Sequence, residues 1–97
     1  MTDAYERLKA QRERIFEVAA RWGASNVRVF GSVARGEADD RSDVDFLVDL
    51  EPERTLLDLG GLLMDLQDLL ECDVDVVPSD SIRERLRQGI LQEAVAL

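Results

Sequence analysis

The sequence predicts an α+β (α/β) fold, a short mixed sheet of about three strands packed against about four helices, in the order α-β-α-β-α-β-α. Three observations carry this expectation. Apolar residues recur at helical spacing near the start, in the middle and near the end of the chain. Between them lie short alternating or β-branched segments, Val27 to Phe30, Asp43 to Leu50 and Asp73 to Val77. Glycine, serine and proline stand at the joints. With 97 residues the chain can fill a single core, so residues 1–97 are expected to form one domain without a second substrate-binding lobe.

From about Asp3 to Trp22, the residues Leu8, Ile15, Val18, Ala19 and Trp22 share one helical face, and Gly23 is placed to end the helix. Trp22 and Phe16 are expected as core anchors. Val27 to Phe30 runs straight into Gly31, where the missing Cβ permits a sharp turn and a close ligand approach. Ser32 to Arg35 can form one helical turn, stopped by Gly36. The first N–H groups of that turn and the Ser32 hydroxyl would suit an anion; taken alone, a Gly-Ser pair is more often a plain turn. Glu37 to Ser42 is polar and aperiodic, as a loop would be. Its alternating acids are not a calcium loop, because the positions requiring glycine and glutamate hold Val44 and Leu50.

In the second strand Val44, Phe46, Val48 and Leu50 point one way and Asp43, Asp45, Leu47 and Asp49 the other. Asp43 and Asp45 therefore sit on one face and repel each other unless a cation or proton intervenes. Thr55 and Asp58 have capping-box spacing and open a helix to about Glu71. Leu56, Leu59, Leu63, Leu66 and Leu70 supply its core face, widened by Leu57, Leu62 and Leu69. So leucine-rich a helix is deeply buried or has a second apolar contact. Gly60-Gly61 inside it costs about 1 kcal/mol per glycine relative to alanine, which fits close helix packing or a partner-facing groove. The third strand could deliver another carboxylate, Asp75, with Asp73 on the same face as the alternative; Pro78 ends it. Ser79 or Ser81 can cap a last helix whose buried face is Ile82, Leu86, Ile90 and Ala94.

Composition removes whole classes of chemistry. The chain has no histidine, which excludes histidine-based zinc sites, Ser-His-Asp and Cys-His nucleophiles, and histidine-dependent ribonucleases. A single cysteine, Cys72, leaves no intramolecular disulfide and fits a reducing compartment. No apolar run approaches the roughly 20 residues of a membrane span and no signal-peptide pattern opens the sequence, so a cytoplasmic protein is expected. Net charge −9 argues against direct nucleic-acid binding and suits metal ions, a basic protein partner or simple solubility. Three aspartates and an anion-binding turn are the parts that two-metal phosphoryl or nucleotidyl transfer requires, with two Mg²⁺ about 3.5–4 Å apart on shared carboxylates.

G-S-V-A-R-G at Gly31 to Gly36, followed by S-D-V-D at Ser42 to Asp45, resembles the signature of the DNA polymerase beta-type nucleotidyltransferase superfamily. The short chain and the A-R-G after the serine resemble, within it, the minimal nucleotidyltransferases, the MNT-type antitoxins; the likeness extends over essentially the whole chain. The resemblance implies the small nucleotidyltransferase fold, with Asp43, Asp45 and Asp75 as metal-binding and catalytic residues. It implies Gly31 and Ser32 at the nucleotide phosphates. Arg35 and Ser42, and also Arg41, could assist there, surface salt bridging being an equal reading for both arginines. It further implies Mg²⁺ and ATP, and a hetero-oligomer with a HEPN-type ribonuclease toxin whose tyrosine receives AMP. Two other readings stand beside it: a non-catalytic antitoxin that masks its toxin through charge and the apolar helix 56–70, and transfer to a small molecule such as an aminoglycoside, which the lack of a second lobe disfavours.

Overall fold

A computed structural model of the chain describes residues 4–39 and 43–97. Helices α1 (Ala4–Ala10) and α2 (Arg12–Arg21) lead into strand β1 (Ala24–Phe30), the short helix α3 (Gly31–Arg35) and strand β2 (Val44–Leu50). Helix α4 (Leu56–Leu70), strand β3 (Val74–Pro78), a 3₁₀ turn (Ser79–Ser81), helix α5 (Glu84–Glu93) and strand β4 (Val95–Ala96) follow. The sheet has 4 strands in the order β3-β2-β1-β4, rather than about three. β1 runs antiparallel to both β2 and β4, and β2 runs parallel to β3, so the sheet is mixed as expected.

One face of the sheet builds the core. Val27 and Val29 of β1, Val44, Phe46 and Val48 of β2, and Val74 and Val76 of β3 pack with Leu8, Ile15 and Ala19 of α1 and α2 and with Leu62 and Leu66 of α4. Each large side chain so buried contributes about 1.5–3 kcal/mol relative to leaving it in water. Pairing slips between Ser25 and Arg28, and Asn26 adopts φ 49°. The extra residue of this bulge flips the alternation, so that Ala24 and Val27 can both face the core.

Several expectations need correction. The single helix expected from Asp3, itself outside the described residues, to Trp22 is two helices. Gln11 interrupts them, donating its N–H to Leu8 O at 3.0 Å while its carbonyl restarts the ladder at Ile15 N, also 3.0 Å. Gly23 does end α2, at φ 76°. Phe16 is 41% exposed and is no core anchor, while Trp22 is half-buried with its indole N–H donated to Asp65 Oδ2 at 2.7 Å. Leu47 is fully buried on the face of the sheet opposite the main core, beside Val77, so that face is covered too.

Helix α4 begins as expected. The Thr55 hydroxyl oxygen accepts the Leu57 N–H at 3.2 Å and the Asp58 carboxylate accepts the Thr55 N–H at 3.0 Å. Its leucines divide differently: Leu62 and Leu66 are fully buried, whereas Leu56 and Leu57 are 83% and 86% exposed. Helix α5 has no buried residue, and Leu86, expected in its core face, is mostly exposed. Ser81 does not cap it; its hydroxyl donates to Pro78 O within the 3₁₀ turn. No described helix is long and apolar enough to cross a membrane.

Candidate active site

Strand register assembles the site on the sheet face opposite the main core. β2 and β3 place Asp45 beside Asp75, and β1 and β2 place Phe30 beside Asp45, so the turn that follows Phe30 opens at the same carboxylate. Neighbouring strands lie about 4.8 Å apart, which brings the two acidic side chains into mutual range. Asp73 precedes the strand and uses its carbonyl to accept the Val44 N–H, whereas Asp75 is the register partner. Burial holds the Asp45 carboxyl above its ordinary range, and the charges of Asp75 and Asp43 push it in the same direction, with Arg35 opposing them.

Gly31 has φ 70°, a conformation that side-chain-bearing residues rarely adopt, and a Cβ there would collide with the Asp45 carboxylate. The glycine therefore serves two ends: it allows α3 to start at once after β1, and it lets the turn close onto an acidic side chain. Ser32 is half-buried in the first turn of α3, and its carbonyl accepts the Glu37 N–H at 2.9 Å. Gly36 ends α3 at φ 73°.

The two donors of this turn that point to an anion already hold one. Gly31 N–H donates to Glu93 Oε2 at 2.9 Å, and Arg35 Nη1 donates to Glu93 Oε1 at 2.6 Å. Arg35 Nε meets Glu37 Oε2 at 3.0 Å. The Arg35 bond, with the Gly31 N–H second, holds the Glu93 carboxyl below the usual carboxylate range. Sequence reasoning missed Glu93. A signal existed: an acid in the last turn of a helix opposes the helix dipole, so its position asks for a partner elsewhere.

The structure thus brings together Asp45, Asp75, Gly31, Ser32 and Arg35. Asp43 stands exposed just before β2, and Ser42 and Arg41 lie outside the described residues. Among the described residues no three histidine, cysteine or acidic side chains converge as a ready metal-holding group. The donor set nevertheless suits a hard divalent cation, being all oxygen and composed of like charges that a cation would reconcile. A concavity of about 200 Å³ lined by Arg7, Gln11, Val33, Leu70 and Cys72 includes neither Asp45 nor Asp75.

This geometry is that of a known class, and the chain belongs to the nucleotidyltransferase domain family, which residues 12–97 match. Among its relatives is the protein adenylyltransferase MntA of Thermococcus cleftensis, 40% identical over 79 residues that span 81% of this chain and 80% of the relative. A protein of Methanocaldococcus jannaschii, provisionally named a protein adenylyltransferase, is 37% identical over 84 residues, 87% of this chain and 90% of its own. A solved structure provisionally described as a minimal nucleotidyltransferase superposes with TM-score 0.86 at 49% identity, covering 99% of this chain and 97% of the other. A second, described as a toxin-antitoxin with AMP-PNP, shares the fold with TM-score 0.75 at 22% identity, over 87% of this chain and 69% of the other.

Proposed function

We propose that residues 1–97 act as one Mg²⁺-dependent nucleotidyltransferase domain that moves AMP from ATP to a tyrosine of a HEPN-type ribonuclease toxin and neutralises it as an antitoxin. The observation that carries this reading is the register pair Asp45–Asp75 set against the Gly31 turn. A lateral pair of carboxylates calls for a hard cation, and a Cβ-free turn opening onto one of them calls for phosphate bound to that same cation. Membership of the family supports nucleotidyl transfer. The names of the relatives support a protein acceptor, and the toxin-antitoxin description of the fold neighbour supports the partner and the adenine nucleotide.

Asp43, Asp45 and Asp75 would hold the metal, which when bound neutralises the triphosphate and acidifies the attacking hydroxyl. Gly31 N–H, the Ser32 hydroxyl and the Arg35 guanidinium would hold the distal phosphates, with Ser42 in the same set, so that the α-phosphorus faces the Asp45–Asp75 pair. The tyrosine oxygen attacks that phosphorus and forms the new P–O bond. The bond to the β-phosphate oxygen breaks, pyrophosphate leaves, and the tyrosine proton passes to Asp75, the more exposed carboxylate of the pair. The proposed reaction would take place in the cytoplasm, in a hetero-oligomer with the toxin.

A second reading, masking without chemistry, is favoured by Leu56, Leu57 and Met64, exposed by 83%, 86% and 65% on α4. One experiment separates the two. The partner that co-purifies from the native host is incubated with the protein, Mg²⁺ and ATP labelled at the α-phosphate. The wild type is expected to move label onto the partner. Asp43→Asn with Asp45→Asn should reduce transfer by about a hundredfold or more, and Asp75→Asn should do so while still binding ATP. Full transfer by Asp75→Asn would return the third position to Asp73 or remove it. An unlabelled but tight complex would leave masking as the function.

A further inference from the structure

We propose that Glu93 is an intramolecular stand-in for a nucleotide phosphate, so that ATP enters the site only by displacing the last turn of α5 from the Gly31 turn. The inference rests on the phosphate role proposed above for Gly31 and Arg35. It adds a residue that neither the motif nor the family match assigns.

The geometry is that of an anion bound by two donors at the two ends of α3. One carboxylate oxygen takes the Gly31 N–H at 2.9 Å and the other takes Arg35 Nη1 at 2.6 Å, as two oxygens of one phosphate group would. The group comes from far away in sequence, at the end of α5, and its side chain is 27% exposed. The same two donors hold its carboxyl below the usual carboxylate range, favouring the charged form. Glu93 also adds its negative charge to the field at Asp45, opposing any further anion there.

The carboxylate is held by an element that can let go. No residue of α5 is fully buried. The chain is anchored beyond it, where β4 pairs with β1 through Val95–Val29 and Ala96–Arg28 and Leu97 N–H donates to Val27 O at 3.2 Å, so the last turn of α5 can shift while the strand after it stays. An incoming triphosphate carries more negative charge and brings a cation to the neighbouring aspartates, so it can win both donors. The measured affinity for nucleotide is then the intrinsic affinity reduced by the fraction of molecules in which Glu93 is released.

The test measures binding of Mg²⁺-ATP, inorganic tripolyphosphate with Mg²⁺, and adenosine by calorimetry to the wild type, Glu93→Gln and Glu37→Gln. Glu37→Gln removes a charge from the other side of Arg35 without freeing Gly31 N–H, and so controls for charge alone. Glu93→Gln is expected to bind ATP and tripolyphosphate about three- to tenfold more tightly, with adenosine unchanged and Glu37→Gln gaining less. Equal or weaker triphosphate binding by Glu93→Gln, or an equal gain in Glu37→Gln, overturns the inference and leaves the nucleotide site standing. Binding of ATP by none of the three proteins overturns the nucleotide reading itself and this inference with it. Hydrogen exchange on the wild type gives an independent measure that needs no variant. Amides of residues 88–94 should exchange faster once tripolyphosphate and Mg²⁺ are added, and unchanged or slower exchange overturns the displacement.

Discussion

At the scale of single residues, acidic side chains gather in two separate clusters, one at the proposed site around Asp45 and one around Asp49. Asp49, further along β2 than Asp45, takes the Ser79 hydroxyl at 2.5 Å, Asn26 Nδ2 at 3.0 Å and Arg28 Nη2 at 2.8 Å. The Ser79 bond and then the Asn26 bond hold its carboxyl below the ordinary range, with Arg28 assisting and partial burial opposing. A depressed carboxyl adds stability that is fully present above its unfolded-state value and is lost as pH falls through its folded-state value. Melting temperatures measured from pH 6 down to pH 2 should therefore drop more steeply for the wild type than for Asp49→Asn below about pH 4. Parallel curves would mean that the cluster is too well solvated to matter. The motif residues themselves were legible in the sequence because their spacing is local: Gly31, Ser32, Arg35, Gly36 and Asp45 lie where a strand, one helical turn and a second strand place them. Glu93 was not, because its partners belong to α3, far away in sequence, and nothing within α5 names them.

At the scale of elements, the two adjacent glycines of α4 have opposite surroundings. A Cβ on Gly61 would stand 2.5 Å from Trp22 Cη2, on an indole ring held by its bond to Asp65. A Cβ on Gly60 would meet nothing within 4 Å. Gly60→Ala should therefore stabilise the protein by about 0.5–1 kcal/mol through helix propensity, and Gly61→Ala should destabilise it by about 1–3 kcal/mol through the crowded contact. Chemical denaturation midpoints of the two variants would check this, and a gain at Gly61 would mean that the indole moves aside freely. The start of α4 was readable because the Thr55–Asp58 capping box is a local hydrogen-bond pattern. The break at Gln11 was not, because the apolar stripe continues on both sides of it and no glycine or proline marks it. β4 escaped for a different reason, since Val95–Ala96 is too short to display alternation. The pattern Ile82, Leu86, Ile90, of which only the last two fall in α5, looked like a buried face because periodicity reports which residues share a side, and burial depends on what another element lays over that side.

At the scale of the whole molecule, the sheet separates two kinds of surface. The carboxylates and the Gly31 turn lie on one face, while α4 packs its buried leucines on the other and turns Leu56, Leu57 and Met64 outward. A partner resting on those side chains would leave the carboxylates open, so under the proposed function holding a toxin and modifying it would be separable actions of one domain. Folding also sets like charges side by side at Asp45 and Asp75, which a divalent cation should relieve. Mg²⁺ at about ten times its dissociation constant would add about 1.4 kcal/mol to stability, a rise in melting temperature of about 7 °C for a domain of this size. The rise should vanish on chelation and in Asp45→Asn, and an equal rise in that variant would place the cation elsewhere.

The parallel pairing of β2 and β3 has a consequence for the life of each newly made molecule. Asp45 and Asp75 can meet only after the whole of α4 has been synthesised and has crossed the sheet. A nascent chain that has emerged only through β2 presents the Gly31 turn without a second carboxylate beside Asp45. On the role proposed for the pair, competence to transfer would arrive late in translation, and an arrested or truncated product lacking β3 would not transfer.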